Sequence, residues 1–428
     1  MIRNKTYLAG ISWTGKLSFK ISICLTQKMR GGLKMSNGFS LAATAEPKVA
    51  TPGLNKITLL LVLMAVAGVS AGLYGFYAGH HNVYNNTREM PWGILISTYA
   101  FFAITSTGLC LLAAISHIFG GNRLAPLANR MVWLSLISII GGFVIIGLEI
   151  ESPWRMAIYN VISPNLTSNI WWMGTLYGLA VGFMFVEFFL ILTRQYKIAI
   201  ILGVLGALAE VAANTNLGAV FATLSARPYW YGAQLPVYFL ASSFMSGAAA
   251  AVLFTNLAYK MRNEEMNDAT YKGVQSAAKV LTLMIFLVSV ATAWRTITFY
   301  VGGSEGGRAA ADAILGGPLA TNFWIFEVSI GLIFPLGLLA FTKMKSLPAM
   351  SAAALMALVG QFFSRYDLVV AGQLVPQYEG WDNLPAYFSY TPSVSELLVT
   401  MAGLGFVGAA FILGERFFGR AFEHQGEH

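Results

Sequence analysis

About ten long apolar stretches run through this chain, and they leave a single class of fold open to it. A helix needs roughly 20 consecutive apolar residues to cross the hydrocarbon of a bilayer. Runs of that length read at 57–79, 91–118, 131–150, 171–193, 198–224, 236–259, 277–300, 321–342, 348–370 and 394–415. Strands of a membrane barrel are shorter and alternate apolar with polar, a pattern these runs lack. Composition agrees: 56% of the 428 residues are hydrophobic and 11% charged, against about 25% charged in a soluble domain. The expected fold is an all-α polytopic membrane protein of about ten transmembrane helices, arranged as two four-helix bundles plus flanking helices.

The net charge of +8 does not point to nucleic acid, because the basic residues stand in short segments between apolar runs, as membrane orientation requires. Arg123 and Arg130, Arg194 and Lys197, Lys260, Arg262 and Lys272, and Lys343 and Lys345 occupy the even loops, and Arg416 and Arg420 follow the last span. The odd loops carry mostly single cations, Arg88, Arg155, Arg227 and Arg308. Both termini are therefore expected on the cytoplasmic side, with the long loops 151–170, 301–320 and 371–393 facing outward, where they suit the docking of a peripheral subunit. Trp and Tyr in those loops also fit plain interfacial anchoring. Ahead of the first span, Arg30-Gly31-Gly32-Leu33-Lys34-Met35 reads as a translated ribosome-binding site before a start at Met35. A basic cytoplasmic tail is the alternative.

A faint duplication sets the expected organisation. Pro91-Trp92-Gly93 opens the second span and Pro236-Val237-Tyr238 the sixth; Pro153-Trp154-Arg155 follows the third and Ala293-Trp294-Arg295 lies near the end of the seventh. Two related bundles follow from that match. The expected divisions are a basic extension over 1–56, a first helix and outer loop over 57–90, a first bundle over 91–224, a second over 236–370, and an outer loop, last helix and tail over 371–428.

A charge in mid-bilayer costs about 2.5–3.5 kcal/mol on insertion scales, so an acid inside a span is a functional candidate. Glu149 falls near the outer end of the third span, Glu210 near the middle of the fifth and Glu187 in the inner half of the fourth. Together they form a candidate path for proton exchange from the outer side inward, although each also suits a structural acid bonded to a neighbouring helix. Arg295, Glu327, Arg365, Asp367 and Glu396 fall at similar depth in the second half and are expected to hold helices together as buried ion pairs.

Metal ligands are scarce. Cys24 and Cys110 form no CxxC or CxxxC spacing, and no two histidines pair across a bundle at one depth: His80 and His81 end the first span, His117 the inner end of the second, and His424 and His428 lie in the tail. No resident haem, iron–sulfur cluster or other metal is expected. Redox work by such a chain needs a diffusible lipid-soluble carrier and a partner subunit. The outer end of the first bundle collects aromatic walls, hydrogen-bond donors and an acid, the three things a quinone head needs. Tyr77, His80, Trp92, Arg155, Tyr177, Asn214 and Arg227 are the candidate head-group residues, with Glu149 as the proton-exchanging acid.

At these residues the chain resembles a known family. Arg88-Glu89-Met90-Pro91-Trp92-Gly93 resembles the P-W-G helix start of NrfD/PsrC-type membrane subunits (polysulfide reductase membrane subunits). Gly147-Leu148-Glu149-Ile150-Glu151-Ser152-Pro153-Trp154-Arg155 is similar to that family's D-L-G-R-P segment, with Glu149 in the acid's place. Arg365, Gly372-Gln373, Pro376 and Tyr390-Thr391-Pro392-Ser393-Val394-Ser395-Glu396 resemble the longer, HybB-like members. The resemblance spans about residues 55–415 and implies a subunit of a bacterial cytoplasmic-membrane respiratory complex. Such a subunit exchanges electrons between a ferredoxin-like four-cluster iron–sulfur partner and menaquinone or ubiquinone near the outer face. A molybdopterin, hydrogenase or multihaem catalytic subunit often completes the complex. Some relatives carry a histidine about where Thr107 stands, so a proton path borrowed from them is incomplete here. A passive anchor and a secondary transporter remain the alternatives.

Overall fold

The computed structural model describes residues 52–118, 123–377 and 383–423. Residues 1–51 of the basic extension, with the Met35 start and Cys24, and His424 and His428 lie outside the described residues; 52–56, expected in the extension, begin the first helix. Among the described residues ten helices are long and apolar enough to cross a membrane. In hydrocarbon every backbone N–H and C=O must find its partner within the chain, and a helix does this locally.

The elements run α1 (Pro52–Ala78), the short α2 (His80–Val83), α3 (Ile94–Ile118), α4 (Ala125–Glu149), α5 (Pro153–Ile162), α6 (Asn169–Leu192), α7 (Tyr196–Ala222), α8 (Gln234–Arg262), α9 (Asp268–Gly302) and α10 (Glu305–Leu315). A π-helical stretch, Asn322–Ile333, then runs into α11 (Phe334–Phe341), the two making one span, and α12 (Leu347–Leu374) and α13 (Val394–Glu423) follow. Helices α3, α4, α6 and α7 pack as one four-helix bundle. Helices α8, α9, the π/α11 span and α12 pack as a second. Helix α1 lies along α13, which packs on α4, and much of α1 faces outward with Leu59, Leu63, Val66 and Leu73 exposed. That apolar exterior belongs in lipid.

The bundles meet at α3 and α8, where Gly108 and Gly247 face each other. A Cβ at Gly108 would collide with the Ser243 carbonyl, and one at Gly247 with the Gly108 backbone. Small residues at such a crossing let two helix backbones touch.

Each of the ten apolar runs is a helix, and the differences lie at their ends. Helix α9 begins at Asp268 rather than 277, capped by Asn267, whose side chain accepts from Thr270 N–H at 2.8 Å. Helix α13 continues to Glu423 rather than 415. Hydropathy reports only the lipid-immersed part of a helix, and these helices extend past it. Helix α4 starts at Ala125, so Arg130 is not a loop cation: it is 1% exposed, and its Nε donates to Glu415 Oε1 of α13 at 2.6 Å. Arg262 of α8 pairs with the same Glu415 and with Glu423, so one carboxylate ties three helices at this end of the molecule. The loops read at 151–170 and 301–320 contain α5 and α10, which are too short to cross a membrane and which follow turns at Ser152-Pro153 and Gly303-Ser304.

Among the described residues Glu396 makes no ion pair. It caps α13: Glu396 Oε2 accepts from Ser393 N–H at 2.8 Å while Ser393 Oγ accepts from Glu396 N–H at 3.2 Å. This is the reciprocal capping box of an S-x-x-E start.

Candidate functional site

At the end of the first bundle opposite Arg130, helix α4 stops at Glu149. Ile150 is extended, and the residue before a proline disfavours helical backbone, so Ser152-Pro153 turns the chain into α5. The break leaves a gap between α4 and its neighbours. A pocket of about 200 Å³ opens there, lined by Trp92, Ile96 and Tyr99 from α3 and its start, Ile146, Glu149 and Ile150, Met156 of α5, Ile170 and Met173 of α6, and Leu217, Val220 and Phe221 of α7. A second hollow of about 390 Å³ adjoins it, sharing Tyr99, Ile146, Ile150, Met156 and Met173 and adding Phe143, Gly147, Pro153, Ala157, Asn160 and Gly174. The two form one cleft. Its walls are almost wholly apolar, and Glu149 is the carboxyl within it.

One face of α5 (Pro153, Met156, Ala157, Asn160) walls the cleft, while Trp154, Ile158, Val161 and Ile162 on the other face are exposed. Asn160 fixes α5 to α6: its carbonyl accepts from Trp171 Nε1 at 2.7 Å and its Nδ2 donates to Thr175 Oγ1 at 2.9 Å. The opposite wall is held from the second bundle. Gln373 of α12 accepts from Trp92 N–H at 3.0 Å and donates to Trp92 C=O at 2.8 Å. Trp92 stacks on Trp230, whose Nε1 donates to Leu368 C=O at 2.7 Å. Gly372 leaves the room that the Trp230 ring fills. Tyr390 completes the frame, accepting from Ile94 N–H at 2.8 Å and donating to Glu396 at 2.6 Å.

Behind Tyr99 the polar residues continue inward. Tyr177 is fully buried against Tyr99 and Phe143, each ring pair 6.4 Å apart. Glu210 of α7 is 0% exposed and accepts from Thr107 Oγ1 at 2.6 Å and Ser106 Oγ at 2.9 Å. Ser106 also shares a hydrogen bond with Ser135 of α4 at 2.9 Å. One turn along α7, Asn214 is 0% exposed, and neither its amide oxygen nor its nitrogen has a hydrogen-bond partner. A buried amide without a partner costs free energy, which marks Asn214 as a candidate polar contact. Glu187 lies further on, buried against Gly203, and Cys110 of α3 sits within electrostatic reach of both Glu210 and Glu187.

The structure brings Glu149, Trp92, Tyr177, Asn214 and Glu210 into one column at and below the cleft. Four other candidates lie off its lining. Tyr77 points away at 90% exposure, and Arg155 sits on the exposed side of α5. Arg227 donates to the Glu89 carbonyl at 3.4 Å. His80 lies behind Glu149, its ring 5.0 Å from both Phe76 and Tyr84. Depth along a helix is legible in a sequence; the face a side chain takes there is not. Burial holds the His80 pKa below its ordinary value, against the opposing charge of Glu151 and a hydrogen bond to the Glu149 backbone. Burial, helped by Glu149 and Glu396, pushes the Tyr84 hydroxyl up to about 12, so it stays a donor, bonding the Leu148 carbonyl at 3.0 Å. Tyr99, Ser106, Gln373 and Trp230 were not read from the sequence as site residues; polar side chains within apolar runs were the signal for all but Trp230.

A sequence model described as polysulphide reductase, NrfD, matches residues 82–377. The chain belongs to the NrfD family. Among curated members of related sequence, one subunit of the selenate reductase of Mesobacillus selenatarsenatis is 22% identical over 376 residues, covering 76% of this chain and 84% of that one. The Hdr-like menaquinol oxidoreductase integral membrane subunit of Archaeoglobus fulgidus is 21% identical, covering 87% and 95%. Protein NrfD of Escherichia coli is 26% identical, covering 67% and 96%. The NrfD match takes in both bundles up to the end of α12, and so the cleft with the α12 residues that brace it.

Proposed function

We propose that this NrfD-family chain is the quinone-exchanging membrane subunit of a respiratory oxidoreductase. The observation that carries the reading is the cleft at the end of α4: a lipid-side hollow with apolar and aromatic walls and one carboxyl, Glu149, inside it. A quinone ring stacks on such walls, and its tail leaves along the exposed face of α5. Quinol oxidation releases two electrons and two protons, and reduction takes up the same. This chain's part is to seat the ring against Trp92, Tyr99 and Phe221 and to exchange a proton at the Glu149 carboxyl. Asn214 is placed to bond a carbonyl or a bridging water, and the Tyr99–Tyr177–Glu210 column leads protons inward towards Glu187.

The electrons pass to or from a partner with its own clusters, in this reading a ferredoxin-like four-cluster iron–sulfur subunit with a catalytic or multihaem subunit beyond it. The names of the selenate reductase and menaquinol oxidoreductase relatives support an oxidoreductase setting, the second favouring menaquinone over ubiquinone. The charge pattern of the loops supports an outward-facing cleft in a bacterial cytoplasmic membrane, with both termini inside.

The test is Glu149→Gln in the assembled complex, which keeps the side chain's shape and removes its titration. The expected result is a loss of quinone turnover of 10²-fold or more, as removal of a general acid–base group gives, with the complex intact. Full activity in that variant sinks the role of Glu149. Activity indifferent to quinone-site inhibitors makes the chain a passive anchor, and solute uptake by the chain alone in liposomes makes it a transporter.

A further inference from the structure

The second bundle holds a cluster that the quinone reading leaves idle. Arg295 on α9, Glu327 on the π-helical stretch, and Arg365 and Asp367 on α12 converge there, with Tyr238 and Ser242 of α8. Arg365 is 0% exposed, Asp367 1% and Glu327 8%. The expected ion pairs do not form. Among the described residues the pairs closer than 4.0 Å are Arg130–Glu415, Arg262 with Glu264, Glu415 and Glu423, and Lys272–Asp268. None joins Arg295 or Arg365 to Glu327 or Asp367.

The same molecule shows what a buried structural pair looks like, in the two-pronged contact of Arg130 with Glu415. The second-bundle residues are different. Neither Asp367 oxygen makes a hydrogen bond of good geometry, Asn322 being the polar side chain close beside it, and Nε and Nη1 of Arg365 have no partner. Arg365 donates from Nη2 to Ser242 at 3.1 Å, has the Tyr238 side chain within reach, and lies over the rings of Phe239 and Tyr238. Arg295 donates to the Tyr229 hydroxyl. Charges this deep are too costly to leave bare. Bound water can supply the missing bonds, and a proton can relieve the acids. The backbone agrees: Glu327 sits in a π-helical segment, a geometry that recurs at functional sites.

We propose that the second bundle encloses a hydrated proton-holding site, with Glu327 and Asp367 as its acids and Arg295 and Arg365 setting their charge. A row of hydroxyls gives it an outlet. Ser364 donates to Glu327 at 3.1 Å and faces Tyr238 at 3.2 Å, and Tyr238 reaches Thr292 at 3.4 Å. Thr292 lines a groove of about 330 Å³ between α9 and the π-helical stretch. The groups facing the acids are thus Tyr238 from α8, Arg295 from α9, Asn322 beside Asp367 from the π-helical stretch, and Tyr366 and Arg365 from α12, with Glu396 of α13 acting on Tyr366.

Two measurements on the purified protein, with whatever subunits accompany it, test this without reference to quinone. In infrared difference spectra between H₂O and D₂O, the wild type shows protonated-carboxyl stretches that shift on exchange. Asp367→Asn and Glu327→Gln are each expected to lose one such component; wild-type carboxyl bands in both variants overturn the proposal. Should neither variant assemble, X-ray radiolytic labelling of the wild type decides. Tyr238, 6% exposed, is expected to be oxidised by bound water while the buried Phe411, 1% exposed, is not. Tyr238 as unreactive as Phe411 overturns the hydrated chamber. Loss of quinone turnover in Glu149→Gln leaves either result untouched, so the two readings fail separately.

Discussion

Replacing Gln373 by Met tests how the second bundle shapes the cleft in the first. Gln373 is 1% exposed and grips both polar atoms of the Trp92 peptide, at 3.0 and 2.8 Å. Met matches its length and flexibility and makes neither bond. A typical intramolecular hydrogen bond contributes about 1 kcal/mol net, so the wall that carries the Trp92 ring loses about 2 kcal/mol of restraint. Were all of it felt in binding, KM for quinone would rise by about 30-fold; partial relaxation of the wall gives a several-fold rise. Because Glu149 stays in place, kcat is expected to hold. The assay is steady-state turnover of the assembled complex with a short-tailed quinone analogue, read as separate KM and kcat. Gln275→Met is the control, since Gln275 Nε2 bonds the Met344 carbonyl at 3.1 Å, away from the cleft. It is expected to soften the protein without moving KM. A Gln373→Met variant whose KM equals that of wild type, or whose kcat falls at constant KM, refutes the reasoning.

Glu415→Met strands Arg130, while Arg262 keeps Glu423 and Glu264, and should cost about 3–5 kcal/mol, seen as a lowered melting temperature in detergent; adding Arg130→Met should recover much of the loss, and a single variant as stable as wild type would contradict the three-helix tie. Gly108→Ala overpacks the contact between the bundles and is expected to destabilise by about 1–3 kcal/mol, whereas Gly182→Ala, with open space at its Cβ, should be neutral or stabilising in the same melts. His80 gives a pH signature. Its folded pKa lies below 6.5, so between that lowered value and 6.5 the unfolded chain binds more protons and stability rises with pH. Melting temperature should therefore fall as pH drops through that window, and His80→Asn should flatten that part of the curve; an unchanged slope removes His80 as its source.

What the sequence alone determined is whatever lipid imposes. Bilayer thickness and the need to satisfy every backbone group locally convert ten apolar runs into ten helices, and no tertiary contact is needed to see it. The acid at the end of α4 was legible for the same reason, since Glu149 interrupts an apolar run just before Ser152-Pro153. Composition is silent about facing. At the depth of Glu149, only the packing of the bundles turns Trp92 inward and leaves Tyr77 and Arg155 outside. Only tertiary structure gives Arg130 its partner 285 residues away and brings Gln373 to Trp92 across 281. It also decided that Arg295, Glu327, Arg365 and Asp367 meet without pairing, and that Glu396 caps a helix instead of joining them. Depth is a local property of a membrane helix, written in hydropathy; rotation about the helix axis is set by neighbours distant in the chain.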